Sequence, residues 1–240
     1  MLSFSRADLI KHINFIIDNS YIVFNGQIYR QIIGIPMGFS CAPHTANIFL
    51  HVYEYEFISK LVSDDDTERA NKLSNLFRYQ DDCVVFGDKN TDGTHVFEEC
   101  MTEIYPNEMK LTCTNTSTSV CTYLDLYISV YQGKYSFKSY DKRNAFRFDV
   151  INYPNLTGNI PKKPSYGVFI SQLVRMCRIN YFVKHFKNDA KVLISKFSLQ
   201  GFKKSLLIDK FKQFTRTYIA EWAKFGVDFS SNKFIHSIFN

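Results

Sequence analysis

The feature that most constrains this chain is a switch of charge at a proline-bearing stretch. Residues 1–160 carry 14 Lys and Arg against 19 Asp and Glu, a net of −5, and residues 161–240 carry 15 against 4, a net of +11. The switch coincides with Tyr153 to Pro164, where Pro154, Pro161 and Pro164 fix backbone torsions, remove amide donors and read as a linker. Two structural units are expected, 1–160 and 161–240, within a chain of 240 residues that is long enough to bury real cores. A basic unit of ordinary apolar content points to a polyanionic partner, although a lysine-rich soluble helical surface accounts for the same charge. With 45% hydrophobic and 22% charged residues, the chain is neither a disordered tail nor a membrane bundle. No apolar run approaches the ~18 residues of a membrane span, so no membrane partner is expected. The start, Met1 to Asp8, lacks the basic and apolar regions of a signal peptide. Cysteines 41, 83, 100, 113, 121 and 177 include no Cys-x-x-Cys pair. A reducing, intracellular setting, nuclear or cytoplasmic, is the simpler expectation.

Local patterns place the elements. Leu9, Ile10, Ile13, Ile16 and Ile17 recur at helical spacing after Ser5, an N-cap candidate, and predict a helix over 5–18. Two β-rich runs flank Asn25-Gly26, the strongest short hairpin signal, because both turn positions need positive φ. Residues 34–40 form a turn-prone loop before a helix predicted from Ala42 to about Leu61. Asp64-Asp65-Asp66 reads as a solvated connector. A hairpin over 76–86, a helix over 94–105 and a strand over 109–114 follow. A second hairpin runs through Gln132-Gly133, between Thr122–Val130 and Lys134–Tyr140. Helical periodicity then dominates at 166–182, 189–199, 205–224 and 230–239.

Tyr79-Gln80-Asp81-Asp82 is the sharpest chemical feature. Adjacent carboxylates between apolar β runs repel, and a divalent cation neutralises such a pair. An exposed Asp-Asp hairpin turn is the plain alternative. Upstream stand Gln31-x-x-Gly34-Ile-Pro36-Met37-Gly38, Ala42-Pro43 and Ala46-Asn47, and downstream stands Thr122-Tyr-Leu-Asp-Leu126. Gly34 and Gly38 bracket a loop whose backbone can come close to a nucleotide or base pair, and Pro36 stiffens it. Ordinary turn chemistry explains the same residues when each is taken alone. No histidine shows ligand spacing, and neither a Ser-His-Asp order nor a Walker loop is present.

In this order the motifs resemble those of a reverse transcriptase, an RNA-directed DNA polymerase, of the kind found in metazoan mobile elements of the Penelope-like and related non-LTR types. The Pro-Met-Gly loop with its helix resembles motif B, and Tyr79 to Asp82 resembles the Tyr-x-Asp-Asp box of motif C. Residues 94–114 fit motif D, and Leu124-Asp125-Leu126 resembles the primer grip of motif E. Ile160 to Arg175 looks like the start of the thumb. The resemblance spans nearly the whole chain. It implies an α+β fold, an incomplete polymerase palm (an antiparallel sheet with packed helices) followed by an all-α thumb. The implied reaction is transfer of a nucleotide from a deoxynucleoside triphosphate to a primer 3′-hydroxyl on a nucleic-acid template, with two Mg²⁺ ions (Mn²⁺ being an alternative) held by carboxylates. Asp81 is the implied first metal ligand and Asp82 the supporting one. Gln31, Gly34, Pro36, Met37, Gly38, Asn47 and Tyr79 are the implied nucleotide and template contacts, and Leu124, Asp125 and Leu126 the primer grip. Lys142, Arg143, Lys162, Lys163, Arg175 and Arg178 are the implied contacts to the nucleic-acid backbone. Arg147, Lys184, Lys187 and Lys191 extend the basic surface. Tyr166, Phe169, Tyr181 and Phe182 are expected to pack the core or a minor groove, core being the usual use at helical spacing.

One part of the family pattern is absent. Only Asp8 and Asp18 precede Gln31, and both fall in or at the end of a predicted helix, so neither matches the strand-borne first aspartate of motif A. The fingers are missing too. The expectation is half an active site and little or no primer extension by this chain alone. Gln80 also stands where the family usually has an apolar or small residue. Two further readings stay open: a decayed or domesticated remnant that only binds nucleic acid, and an interaction module with no polymer partner.

Overall fold

The computed structural model describes residues 3–35, 37–87, 103–115, 117–148, 150 and 152–240. Pro36 and most of the helix expected at 94–105 lie outside the described residues. The fold is α+β, and its contacts divide the chain into two compact units, Met1–Thr112 and Cys113–Asn240.

The first unit begins with α1 (Arg6–Asp18), closed at its start by a capping box. The Ser5 side chain accepts from the Asp8 amide while the Asp8 carboxylate accepts from the Ser5 amide. Strands β1 (Tyr21–Phe24) and β2 (Gln27–Arg30) pair antiparallel around Asn25 and Gly26, which sit at φ +50° and +75° as a type I′ turn requires. A loop leads into the long helix α2 (Ala42–Ser63), with Pro43 in its first turn. Asp64 and Asp65 form the expected exposed connector after α2, and Asp66 ends it by accepting from the Arg69 amide as the cap of α3 (Thr67–Leu73). Strands β3 (Leu76–Tyr79) and β4 (Asp82–Val85) make the next hairpin. Leu50, Leu61, Leu73, Ile104 and Tyr105 form a small core with Tyr53, Phe57, Leu76 and Cys83 packed against it. Residues 109–114 form no strand, because they pair with none of the described strands.

The second unit opens on a three-stranded antiparallel meander, β5 (Val120–Tyr123), β6 (Leu126–Tyr131) and β7 (Lys134–Ser139). Helices α4 (Lys162–Ile179), α5 (Val183–Leu199), α6 (Lys204–Thr217), α7 (Ile219–Trp222) and α8 (Asn232–Phe239) follow. The single periodic stretch expected at 205–224 is thus broken after Thr217 and closes in a 3-10 turn, Ala223–Phe225. Phe169, Phe186, Phe197, Phe211, Phe214 and Phe229 are fully buried in one aromatic core, where Trp222, Phe225 and Phe234 stack on Phe229.

Two expectations change here. The strands are antiparallel as expected, but among the described residues they form three separate sheets of two, two and three strands rather than one. The stretch from Tyr153 to Pro164 is not a free linker either. Tyr153 and Leu156 pack on the helical core, the Leu156 amide donates to the Gln200 carbonyl at 2.9 Å, and Pro161 occupies the position just before α4. Pro164 falls in that helix's first turn, where a missing amide donor costs nothing. The meander joins the same body through α4 and α5, which is why the division between units precedes the change of charge.

Candidate functional site

The Tyr79–Asp82 box is a tight hairpin. Tyr79 and Asp82 are cross-strand partners, and Gln80 and Asp81 form the two-residue turn between them. Gln80 holds φ +55°, a left-handed conformation that costs a residue with a Cβ about 1–2 kcal/mol. Strand alternation gives the hairpin two faces. Leu76 and Cys83 pack toward the core, and Arg78, the partner of Cys83, lies on that same face. Tyr79 and Asp82 therefore share the opposite face. Tyr79 is 57% exposed, and both carboxylates are exposed. Solvent therefore screens the repulsion expected between Asp81 and Asp82, so charge alone requires no cation.

What holds this turn is an ion-pair network that sequence reasoning missed. Arg78 reaches from β3 to α2, pairing with Glu54 through Nε and through Nη2 at 3.2 Å. Its Nη1 donates to Asn47 Oδ1 at 2.8 Å and to the Gln80 carbonyl at 3.2 Å. Tyr105 donates its hydroxyl to Glu54 Oε1 at 2.7 Å. One guanidinium thus joins two positions of α2, two turns apart, to the strained turn residue. Burial opposes ionisation of Glu54, yet the bonds from Arg78 and Tyr105 and the Arg78 charge outweigh it and hold the carboxyl below its ordinary value. Burial, followed by the bond to Glu54, pushes the Tyr105 hydroxyl up. Burial likewise raises the Cys83 thiol to about 11, with smaller contributions from the nearby carboxylates.

The other expected site residues are placed as follows. Asn47, expected at a nucleotide, has its side-chain oxygen engaged by Arg78. Gln31 donates its amide to the Ile33 carbonyl at 2.9 Å, folding its side chain along its own loop. Gly34 and Gly38 sit at φ +80° and +100°, and a Cβ on Gly34 would lie 3.4 Å from Gln31 Nε2. Met37 is fully exposed on this loop. In the second unit, Leu124 and Asp125 form the β5–β6 turn, Leu124 at φ +52°, and Leu126 opens β6. Asp125 pairs with Arg175, and its carbonyl accepts from the Tyr140 amide at 2.8 Å.

Three of the expected phosphate-binding cations already hold carboxylates. Besides Arg175, Arg178 donates to Glu221 at 2.6 Å and Arg143 grips Asp141 with two bonds, at 2.6 and 2.8 Å. Lys142, Lys162 and Lys163 are exposed and form no ion pair among the described residues. The aromatic expectation also divides: Tyr166 and Phe169 are core, whereas Tyr181 and Phe182 are 59% and 50% exposed.

Among the described residues, no group of three or more His, Cys, Asp and Glu is placed to hold a metal ion. No described helix is long and apolar enough to cross a membrane. No protein-family model, curated protein sequence or solved structure matches the chain.

Proposed function

We propose that the chain is the palm and thumb portion of a reverse transcriptase, and that Asp81 and Asp82 are its share of the Mg²⁺ site for adding a deoxynucleotide to a primer on a nucleic-acid template. The observation that carries this reading is the Tyr79–Asp82 hairpin. Two neighbouring carboxylates stand exposed at a strained turn, and that turn is tied by Arg78 to the helix that follows the Gly34–Gly38 loop. Backbone strain that persists at a polar turn is a reason to look for function there. The two acids offer hard oxygen ligands of the type that Mg²⁺ takes. When bound, such ions clamp the attacking and leaving oxygens of the displacement. The described residues supply two carboxylates and no third, so they fit part of a two-ion centre and not the whole. The contribution of this chain is to hold Asp81 and Asp82 in place and to present the neighbouring Tyr79 face.

The missing ligand makes the test specific. Extension of a labelled template–primer with Mg²⁺ or Mn²⁺ is expected to be absent for the chain alone. It should appear when an aspartate-bearing strand is supplied by a segment fused ahead of residue 1. Asp81→Ala in that fused protein should abolish extension while duplex binding persists. Extension that survives Asp81→Ala would refute the assignment. The shortage of ligands also favours a second reading, a remnant that binds nucleic acid without catalysis. Duplex binding with no extension in either protein selects it.

A further inference from the structure

We propose that Tyr181 and Phe182, with the lysine stripe of α5, form a binding platform for single-stranded nucleic acid, the rings stacking on bases and the lysines meeting phosphates. The proposal deepens the nucleic-acid reading of the second unit and rests on that part of it, not on polymerase chemistry. One aromatic set is used in two ways. Most rings of the helical stretch 161–240 are buried, but Tyr181 and Phe182 at the α4–α5 corner are 59% and 50% exposed and meet edge to face, 4.8 Å between centroids. His185 lies against Phe182 at 5.6 Å.

The corner is rigid for reasons unrelated to those rings. Asn180, fully buried, accepts from the Ser139 amide and donates to Met176 O and to Asp189 Oδ2. Asp189 also accepts from the Ser139 hydroxyl at 2.5 Å, and the Tyr181 amide donates to the Phe137 carbonyl at 3.0 Å. Two exposed rings on a fixed backbone lose little entropy when a ligand stacks on them, the condition under which aromatic contacts yield most affinity.

Charge identifies the occupant. Lys184, Lys187 and Lys191 follow Phe182 at spacings that place them on one face of α5. None forms an ion pair among the described residues, and Lys187 lies over the Phe234 ring at 4.7 Å. The only acid on α5, Asp189, is turned to Ser139 and Asn180. Residues 161–240 carry four acids against 15 Lys and Arg, which leaves a net of +11, and one of those acids, Glu221, is already held by Arg178. An apolar peptide would leave these lysines unanswered. A single strand offers both π faces and phosphates.

The test is fluorescence anisotropy of the full chain with a short labelled oligo(dA), and with an abasic oligomer of the same charge. Tyr181→Ala combined with Phe182→Ala should weaken oligo(dA) binding about 10-fold or more and leave the abasic oligomer unchanged. Tyr181→Trp should restore binding when paired with Phe182→Ala. The single Tyr181→Ala change gives the same comparison if the double variant does not fold. Replacing Lys184, Lys187 and Lys191 by Gln should weaken both oligomers. It should also flatten the log–log salt dependence by about 0.7 for each phosphate that is no longer neutralised. Undiminished oligo(dA) binding by the aromatic variants, an equal loss with the abasic oligomer, or no single-strand binding by the parent chain at low salt would each overturn the proposal. Duplex binding and primer extension are read separately. The platform can therefore fail while the polymerase reading stands, and the reverse.

Discussion

Removing Arg78 is the most informative perturbation of the first unit. Its side chain is 12% exposed and that of its partner Glu54 is 18% exposed. Exposed ion pairs contribute roughly 0–1 kcal/mol, whereas breaking a buried one costs about 3–5 kcal/mol by stranding a charge. This pair lies nearer the buried limit, but solvent reaches both members and Tyr105 still donates to Glu54. A double-mutant cycle of Arg78→Met and Glu54→Gln should therefore give a coupling of about 2 kcal/mol at pH 7. Urea melts followed by far-UV circular dichroism report both units. Fluorescence of Trp222, the sole tryptophan, follows the second unit alone. The loss should appear in the first signal and spare the second. The folded-state pKa of Glu54 lies below its ordinary value of 4.5, so the stabilisation is present above that value and is lost as pH falls beneath it. Coupling should accordingly shrink between pH 5 and the acid limit of folding. A coupling below about 0.5 kcal/mol at neutral pH, or one unchanged through that acid range, would refute the assignment of Arg78 as the tether of the turn.

Further outcomes follow from single residues. Gln80→Gly removes a Cβ from a left-handed turn position and should raise stability by about 0.5–1 kcal/mol after the entropy cost of glycine, read as a higher urea midpoint for the first unit. If Asp81 acts in catalysis, the same change should lower primer extension by the fused protein, since strain relief loosens the turn. Phe229→Ala opens a cavity among Trp222, Phe225 and Phe234 and should cost about 3–5 kcal/mol, shifting the Trp222 transition. Burial raises Cys177 to about 12 and Cys83 to about 11, while Cys113 is exposed. Alkylation by iodoacetamide at pH 7.5, followed by peptide mass spectrometry, should therefore label Cys113 first and Cys177 last among the cysteines of the described residues.

Where the chain announced its structure, the signal was local. Asn25-Gly26 and Gln132-Gly133 are hairpin turns because both residues of each pair take positive φ. The helices of the basic unit followed their apolar period, apart from the break after Thr217 and the corner at 180–182, which the period had placed inside the first helix. The Gln80-Asp81 and Leu124-Asp125 hairpins were legible as strand pairs, but neither turn residue with positive φ is glycine, asparagine or aspartate. Their strain was therefore invisible until the register was known. The run of three acids was legible as a connector, and what it did not announce is that Asp66 also caps the helix that follows. The Glu54–Arg78–Tyr105 network was beyond local reading. Arg78 and Tyr105 lie 24 and 51 positions from Glu54, and only the packing of β3 against α2 brings them together.

Pairing chemistry revises the meaning of the basic unit most. The sequence marks arginines and lysines alike as candidates for a polyanion, but the fold separates them. Arg143 grips both carboxylate oxygens of Asp141, Arg178 reaches one oxygen of Glu221 with two nitrogens, and Arg175 pairs with Asp125. In doing so Arg175 links the β5–β6 turn to α4, and Arg178 links α4 to α7, both within one body. A residue that must surrender an internal carboxylate before meeting a phosphate gains less from that phosphate than a free ammonium does. Lys184, Lys187 and Lys191 have no carboxylate to surrender among the described residues. The positive charge that responds to a ligand is thus concentrated on lysines, and Lys184, Lys187 and Lys191 follow the exposed rings of Tyr181 and Phe182 along α5. Acids in the second unit commit the arginines to architecture, and by that pairing they define which cations remain for binding.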